Sequence, residues 1–137
     1  MAFSDAIKDA LPDYAKDTKL NLDAVLLRST LDPDVAMGCA VAALAATGNG
    51  RVLAVLLADA PVFADSAMTA ASIMAQNNVW YPYVEMADDP NLKGLPAGLR
   101  MNAIANHGGT TKANFEAFGL AASIVGKCHF CVHEIGR

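Results

Sequence analysis

Charge is scarce in this sequence, and no long run of one sign occurs. Asp, Glu, Lys and Arg make up 18% of the residues, and the net charge is −4. Neither a nucleic-acid-binding stripe nor a polybasic membrane patch is therefore expected. Long hydrophobic runs are missing too. The longest, from Val35 to Ala46, is far short of the roughly 20 residues that cross a bilayer, so no membrane span is expected. The stretch Met1 to Ala10 carries Asp5, Lys8 and Asp9 and lacks the apolar segment of a secretory signal. Cysteine is rare, with only Cys39, Cys128 and Cys131. An odd count without a signal argues against a secreted disulfide scaffold. A cytoplasmic, reducing location is the expectation, where a close cysteine pair points to redox or metal chemistry.

What is abundant is apolar. Hydrophobic residues reach 54%, much of it alanine and leucine, which suits closely packed helices. Such a surface can also be covered by a partner subunit. The 137 residues fit one domain, and folding at this size buries roughly two thirds of the unfolded chain's surface. No repeat, low-complexity segment or linker interrupts the chain, so residues 1–137 are read as a single helical domain.

The pattern is helical throughout. Asp32-Pro33 has the form of an N-cap followed by proline at the first helical position, opening a helix from Val35 to Thr47 that Gly48-Asn49-Gly50 stops. A second helix is expected from Arg51 to Ala60. Asp65 or Ser66 is a cap for a third, from Ala67 to Val79, with Ile73 and Met74 on its buried side. The stretch Trp80 to Pro96 contains Pro82, Pro90, Gly94 and Pro96 and is expected to be irregular. A helix from Ala97 to Asn106 should end before Gly108-Gly109. Thr110 or Thr111 then caps a helix from Lys112 to Val125, whose apolar stripe is Phe115, Phe118, Ala122 and Val125. Gly126 breaks the chain, and a short helix is expected from Cys128 to Ile135. Strand alternation is scarce, so the fold class is all-α.

The chemistry concentrates at Cys128-His129-Phe130-Cys131. Residues i and i+3 share one helix face, so the two thiols can close a disulfide with little backbone movement. A cysteine in the first turn lies near unpaired N–H groups and the positive end of the helix dipole, both of which favour the thiolate. Lys127, His129 and His133 add positive charge nearby. A thiolate can attack a peroxide oxygen to give a sulfenic acid, which a neighbouring thiol condenses to a disulfide. The spacing also fits half a zinc site, because Cys128, Cys131 and His133 form a C-x-x-C-x-H cluster. A closed zinc site needs four ligands, and the remaining candidates, Cys39 and His107, are distant in sequence. Inert cysteines are the third reading. Cys39 lies in an apolar run and is expected to be a buried, inert thiol. His107, beside Gly108-Gly109, reads as a helix end. His129 and His133 read equally as solvated residues of a frayed end, and Glu116 as a solvated glutamate or, if partly buried, a proton carrier.

Further segments make the chain recognisable. They are Leu11-Pro12-Asp13-Tyr14-Ala15-Lys16-Asp17, Lys19-Leu20-Asn21-Leu22, Ile73-Met74-Ala75-Gln76-Asn77-Asn78-Val79-Trp80-Tyr81, Gly98-Leu99-Arg100-Met101-Asn102, Lys112-Ala113-Asn114-Phe115-Glu116 and Ser123 to Cys131. Together they resemble the alkyl hydroperoxide reductase AhpD family along nearly the whole chain. The resemblance implies an all-helical fold assembled as a homotrimer, and reduction of alkyl hydroperoxides through the cysteine pair. It implies an AhpC-type peroxiredoxin as the protein partner. It also implies a dihydrolipoyl carrier protein whose dihydrolipoyl group donates electrons, with no tightly bound cofactor and no metal. By position, Cys131 would form the sulfenic acid. Cys128 would be its resolving thiol and proton donor, closing the Cys128–Cys131 disulfide, and Glu116 would be the relay glutamate. Local physics alone favours Cys128 as the better-placed thiolate.

Two departures from the family pattern stand out. Its relay histidine stands four residues after the second cysteine and is followed by glutamate. Here that position is Ile135, and His133-Glu134 comes two residues early. Two residues turn a side chain by about 200° around a helix, so His133, the displaced relay, is expected to point away from Cys131. The sequence also stops at Arg137, short of the family's usual C-terminal helices. The competing reading is a non-catalytic or zinc-holding interaction or oligomerisation module. Carboxymuconolactone decarboxylases share the helical family, but the CxxC pair argues for redox chemistry instead.

Overall fold

A computed structural model describes residues 2–136, with Asn106 described by its backbone only. The described residues form nine α-helices and one short 3-10 turn, with no strand among them, so the fold is all-α. In chain order the helices are α1 (Ala2–Ala10), α2 (Lys16–Leu27), α3 (Pro33–Thr47), α4 (Gly50–Ala58), α5 (Ala64–Ala87), α6 (Pro90–Lys93), α7 (Asn102–Asn106), α8 (Lys112–Val125) and α9 (His129–Ile135); the 3-10 turn, Asp13–Ala15, precedes α2. None of the described helices is long and apolar enough to cross a membrane.

Helices α3, α5 and α8 pack on one another most extensively and hold the core. Val41 and Ala42 of α3, Ala67 and Ala70 of α5, and Phe118 and Ala122 of α8 are all essentially sealed from solvent. The small residues matter because they let the helix backbones approach. Gly38 on α3 lies under the Phe118 ring, and a methyl group there would run into it. Leu56 of α4 and Phe3 of α1 close the same core from the side.

The caps explain most of the boundaries. Asp32 Oδ1 accepts from the N–H groups of Asp34 (2.9 Å) and Val35 (3.3 Å), with Pro33 at the first helical position. Thr111 rather than Thr110 caps α8, accepting from the Asn114 N–H at 3.2 Å. Asn49 caps α4, which runs from Gly50 to Ala58 rather than from Arg51 to Ala60. Helix α5 starts at Ala64 and neither Asp65 nor Ser66 caps it. Ser66 is buried instead, and its hydroxyl meets His107 Nε2 at 2.6 Å.

Three further expectations are corrected. The segment Trp80 to Ala87 is not irregular, because α5 continues through Pro82 to Ala87 and stops only at Asp88, whose φ is +49°. An interior proline removes a hydrogen bond and costs about 3 kcal/mol, but tertiary contacts on either side of it restrain the helix. Tyr81 stacks on Phe130, and Glu85 bonds His129. Conversely, Ala97 to Met101 is not helical, and only Asn102–Asn106 is. Gly98 there has φ +67°, which an α-helix excludes. Lastly, Val125 leaves the apolar stripe. Phe115, Phe118 and Ala122 are buried, whereas Val125 at the end of α8 is exposed.

Candidate active site

The cysteines are delivered by a tight turn between α8 and α9. The Gly126 N–H donates to the Ala122 carbonyl, the Lys127 N–H to Ile124 and the Cys128 N–H to Ser123, at 2.9, 3.1 and 3.2 Å. Lys127 has φ +54°. This pattern is a Schellman ending, with lysine at the left-handed position that glycine normally takes. The glycine stands one residue earlier, where a Cβ would collide with the Asn78 side chain. Asn78 Nδ2 in turn donates to the Ala122 carbonyl at 3.3 Å. The turn is thus seated on α5.

Cys128 is the N-cap of α9, and its Sγ accepts from the Cys131 N–H at 3.3 Å. The same sulfur lies 3.8 Å from the Asn77 carbonyl oxygen. A reduced Cys128 thiol therefore has an acceptor for its proton and a donor for its lone pair, while fully buried. The Cα atoms of Cys128 and Cys131 are 5.3 Å apart and the sulfurs are at disulfide-bonding distance. The two residues between them anchor the pair to α5. His129 Nδ1 lies 3.0 Å from Glu85 Oε1, and the Phe130 ring stacks on Tyr81 with centroids 4.0 Å apart.

A cleft of about 130 Å³ opens on Cys131 but not on Cys128. Its walls are largely apolar, with Met74, Met101, the Tyr81–Phe130 stack and Ile135, and Glu134 stands at its edge. A neighbouring cleft of about 160 Å³ shares Met74, Glu134 and Ile135 and is bordered by Glu116. Glu116 is thus one cleft removed from Cys131. Its carboxylate is half exposed, 3.9 Å from Lys112 Nζ. His133 borders neither cleft. Its exposed ring turns to Glu134, with Nδ1 3.4 Å from Oε1. Ile135, one turn beyond Cys131, occupies the face that His133 does not reach.

Cys39 and His107 do not join the pair. No group of three or more His, Cys, Asp or Glu among the described residues is arranged to hold a metal ion. Cys39 is half-buried rather than fully buried, and burial pushes its thiol pKa up. Several residues at the site carry no sequence signal of their own. Asn77 packs its side chain against the Ile73 carbonyl and Met101 Sδ, while Tyr81 and Glu85 lie in the segment expected to be irregular. The asparagine pair was visible only as part of a motif, and its structural use depends on the partner helices.

These features define a class: an all-α protein that presents a cysteine pair from the start of a short helix, with one of the two cysteines lining an apolar cleft. No protein-family model matches the chain. It is 45% identical over 139 residues to the alkyl hydroperoxide reductase AhpD of Anaeromyxobacter dehalogenans (strain 2CP-C), a match covering 98% of this chain and 74% of the relative. The AhpD of Rhodopseudomonas palustris (strain BisB18) is 43% identical over 137 residues, covering 95% and 75%. That of Maricaulis maris (strain MCS10) is 41% identical, covering 95% and 79%. The chain belongs to the alkyl hydroperoxide reductase AhpD family.

Proposed function

We propose that this protein is a thiol peroxidase that reduces alkyl hydroperoxides through Cys131 and Cys128. In this reading it passes electrons from a dihydrolipoyl carrier protein to an AhpC-type peroxiredoxin. The observation that carries the reading is the difference between the two sulfurs. Cys131, itself only 4% exposed, lines the apolar cleft, whereas Cys128 is fully buried away from it with partners for both its proton and its lone pair. Access therefore outweighs the advantage that local physics gives Cys128 as a thiolate. The Cys131 thiolate attacks the hydroperoxide, the O–O bond breaks, and an alcohol leaves. Cys128 then gives up its proton and condenses with the sulfenic acid, releasing water and forming the disulfide. Dihydrolipoyl thiols reopen it by exchange.

The apolar walls suit the carbon skeleton of an organic hydroperoxide. A homotrimer belongs to the same reading and is supported by the exposed apolar residues Val79, Tyr83 and Met86 on the outer face of α5. Cumene hydroperoxide should convert two free thiols into one intramolecular disulfide, reversibly with dihydrolipoamide, and Cys131→Ser should abolish turnover. A folded native chain that consumes no dihydrolipoamide under these conditions overturns the reading.

A further inference from the structure

Something must move the proton at Cys131, and the two groups first in line are badly placed for it. Glu116 borders the neighbouring cleft rather than the one on which Cys131 opens, and its carboxylate faces Lys112. His133 is turned to the far side of α9. The residue between His133 and Ile135 is better placed. Glu134 stands three positions after Cys131, hence on the same helix face, and it borders both clefts.

We propose that Glu134 is the acid–base group that serves Cys131, with His133 behind it as the link to solvent. The proposal rests on the peroxidase reading and assigns a residue to it. The Cys131 S–H gives its proton to the Glu134 carboxylate. The sulfur attacks the outer oxygen of the hydroperoxide, the S–O bond forms and the O–O bond breaks. The departing alkoxide takes the proton back from Glu134 and leaves as the alcohol. Cys131 is oxidised by two electrons and the hydroperoxide is reduced by two, and Glu134 ends as it began. His133 Nδ1, 3.4 Å from Glu134 Oε1, can exchange the carboxylate's proton with water. The displaced histidine thus acts through its neighbour rather than on the sulfur.

Among the described residues, the titratable groups that line the two clefts or adjoin them include Cys131 and His133 on the same helix as Glu134, Tyr81 of α5 across the cleft, and Glu116 of α8 with Lys112 next to it.

Two measurements test the assignment. In Cys128→Ser, alkylation of Cys131 by iodoacetamide, followed by peptide mass spectrometry to separate it from Cys39, should speed up about threefold or more when Glu134→Gln is added. A carboxylate beside a thiol disfavours the thiolate. In the chain with both cysteines, single-turnover disulfide formation by tert-butyl hydroperoxide should slow by about tenfold or more in Glu134→Gln, in keeping with general acid–base catalysis. Glu134→Asp should recover part of the rate, and the acid side of the pH profile should flatten in Glu134→Gln. Faster alkylation with slower peroxide reduction is a pair of opposite effects that a merely structural role does not give. Unchanged alkylation, or unchanged peroxide kinetics with the native pH profile, overturns the proposal. If the native chain forms no disulfide while alkylation still responds to Glu134→Gln, the peroxidase reading falls and the relay with it, leaving only the proximity of the two side chains.

Discussion

Ile135 stands one helical turn beyond Cys131 and lines both clefts, the one that Cys131 borders and the one that Glu116 borders. It is the position at which the resemblance leads one to expect a relay histidine, and an isoleucine there can neither take nor give a proton. Ile135 packs partly against the core, so the side chain contributes stability while withholding chemistry. Ile135→His should therefore trade one for the other. Hydroperoxide reduction should rise by up to about tenfold at neutral pH, since an imidazole titrates in that range. Stability should fall by about 1–2 kcal/mol through lost apolar burial, read as a lower urea midpoint. Equal kcat/KM in the two proteins would mean that a proton carrier at position 135 adds nothing to the reaction. Lys127 illustrates another residue-scale conflict. Its left-handed backbone favours glycine, yet the glycine is needed one position earlier, where Asn78 leaves no room for a Cβ.

At the scale of the element, the N-terminal helix is attached by a small polar cluster. Ser4 Oγ donates to Asp23 Oδ1 at 2.9 Å, Lys8 Nζ lies 3.0 Å from Asp23 Oδ2, and the Phe3 N–H donates to Asp59 Oδ2 at 2.9 Å. The hydrogen bond from Lys8, then that from Ser4, holds the Asp23 carboxyl below its ordinary 3.8. The same bond holds the Lys8 ammonium above its ordinary 10.5. A depressed carboxyl contributes stability that is present above the unfolded value and lost as pH falls through the folded one. A raised ammonium contributes stability that is present below its unfolded value and lost as pH rises through the folded one. The α1–α2 attachment should thus hold between about pH 4 and pH 10 and weaken outside that window. The urea midpoint of the native chain should drop more steeply from pH 5 to pH 3 than that of Asp23→Asn. Parallel curves would show that the cluster contributes nothing. Helix α5 shows the opposite balance, in which contacts from a distant element override a local signal. Pro82 argues for a break, and α9 prevents it through the Tyr81–Phe130 stack and the Glu85–His129 pair.

At the scale of the whole molecule, α3, α5 and α8 bury one another and the other helices attach around them. The outer face of α5 is left uncovered at Val79, Tyr83 and Met86, which are 71%, 49% and 79% exposed. They lie at helical spacing on one helix, and in the proposed homotrimer they would be the surface that copies of the chain share. If the protein is a homotrimer, light scattering should report a particle of three chains, and Val79→Lys with Met86→Lys should convert it to single chains. A monomer in the native chain would remove the trimer from the reading without touching the chemistry at Cys131.

The helical class, the caps at Asp32 and Thr111, the buried Ile73, Met74, Phe115 and Phe118, and the closeness of the two cysteines were all legible in the sequence. Each depends on residues within a turn or two of one another, where periodicity and capping rules operate. The run through Pro82, the irregular path from Ala97 to Met101, and the exposure of Val125 were not legible. They depend on what packs against those segments from elsewhere in the chain. The same holds at the site. Spacing alone places Cys128 and Cys131 within reach of each other and turns His133 away. Only the packing of α9 on α5 and α8 decides that Cys131 lines the cleft, that Cys128 does not, and that Glu134 borders the same cleft as Cys131. Local sequence sets which side chains share a face; burial is decided by the helix that comes to lie on it.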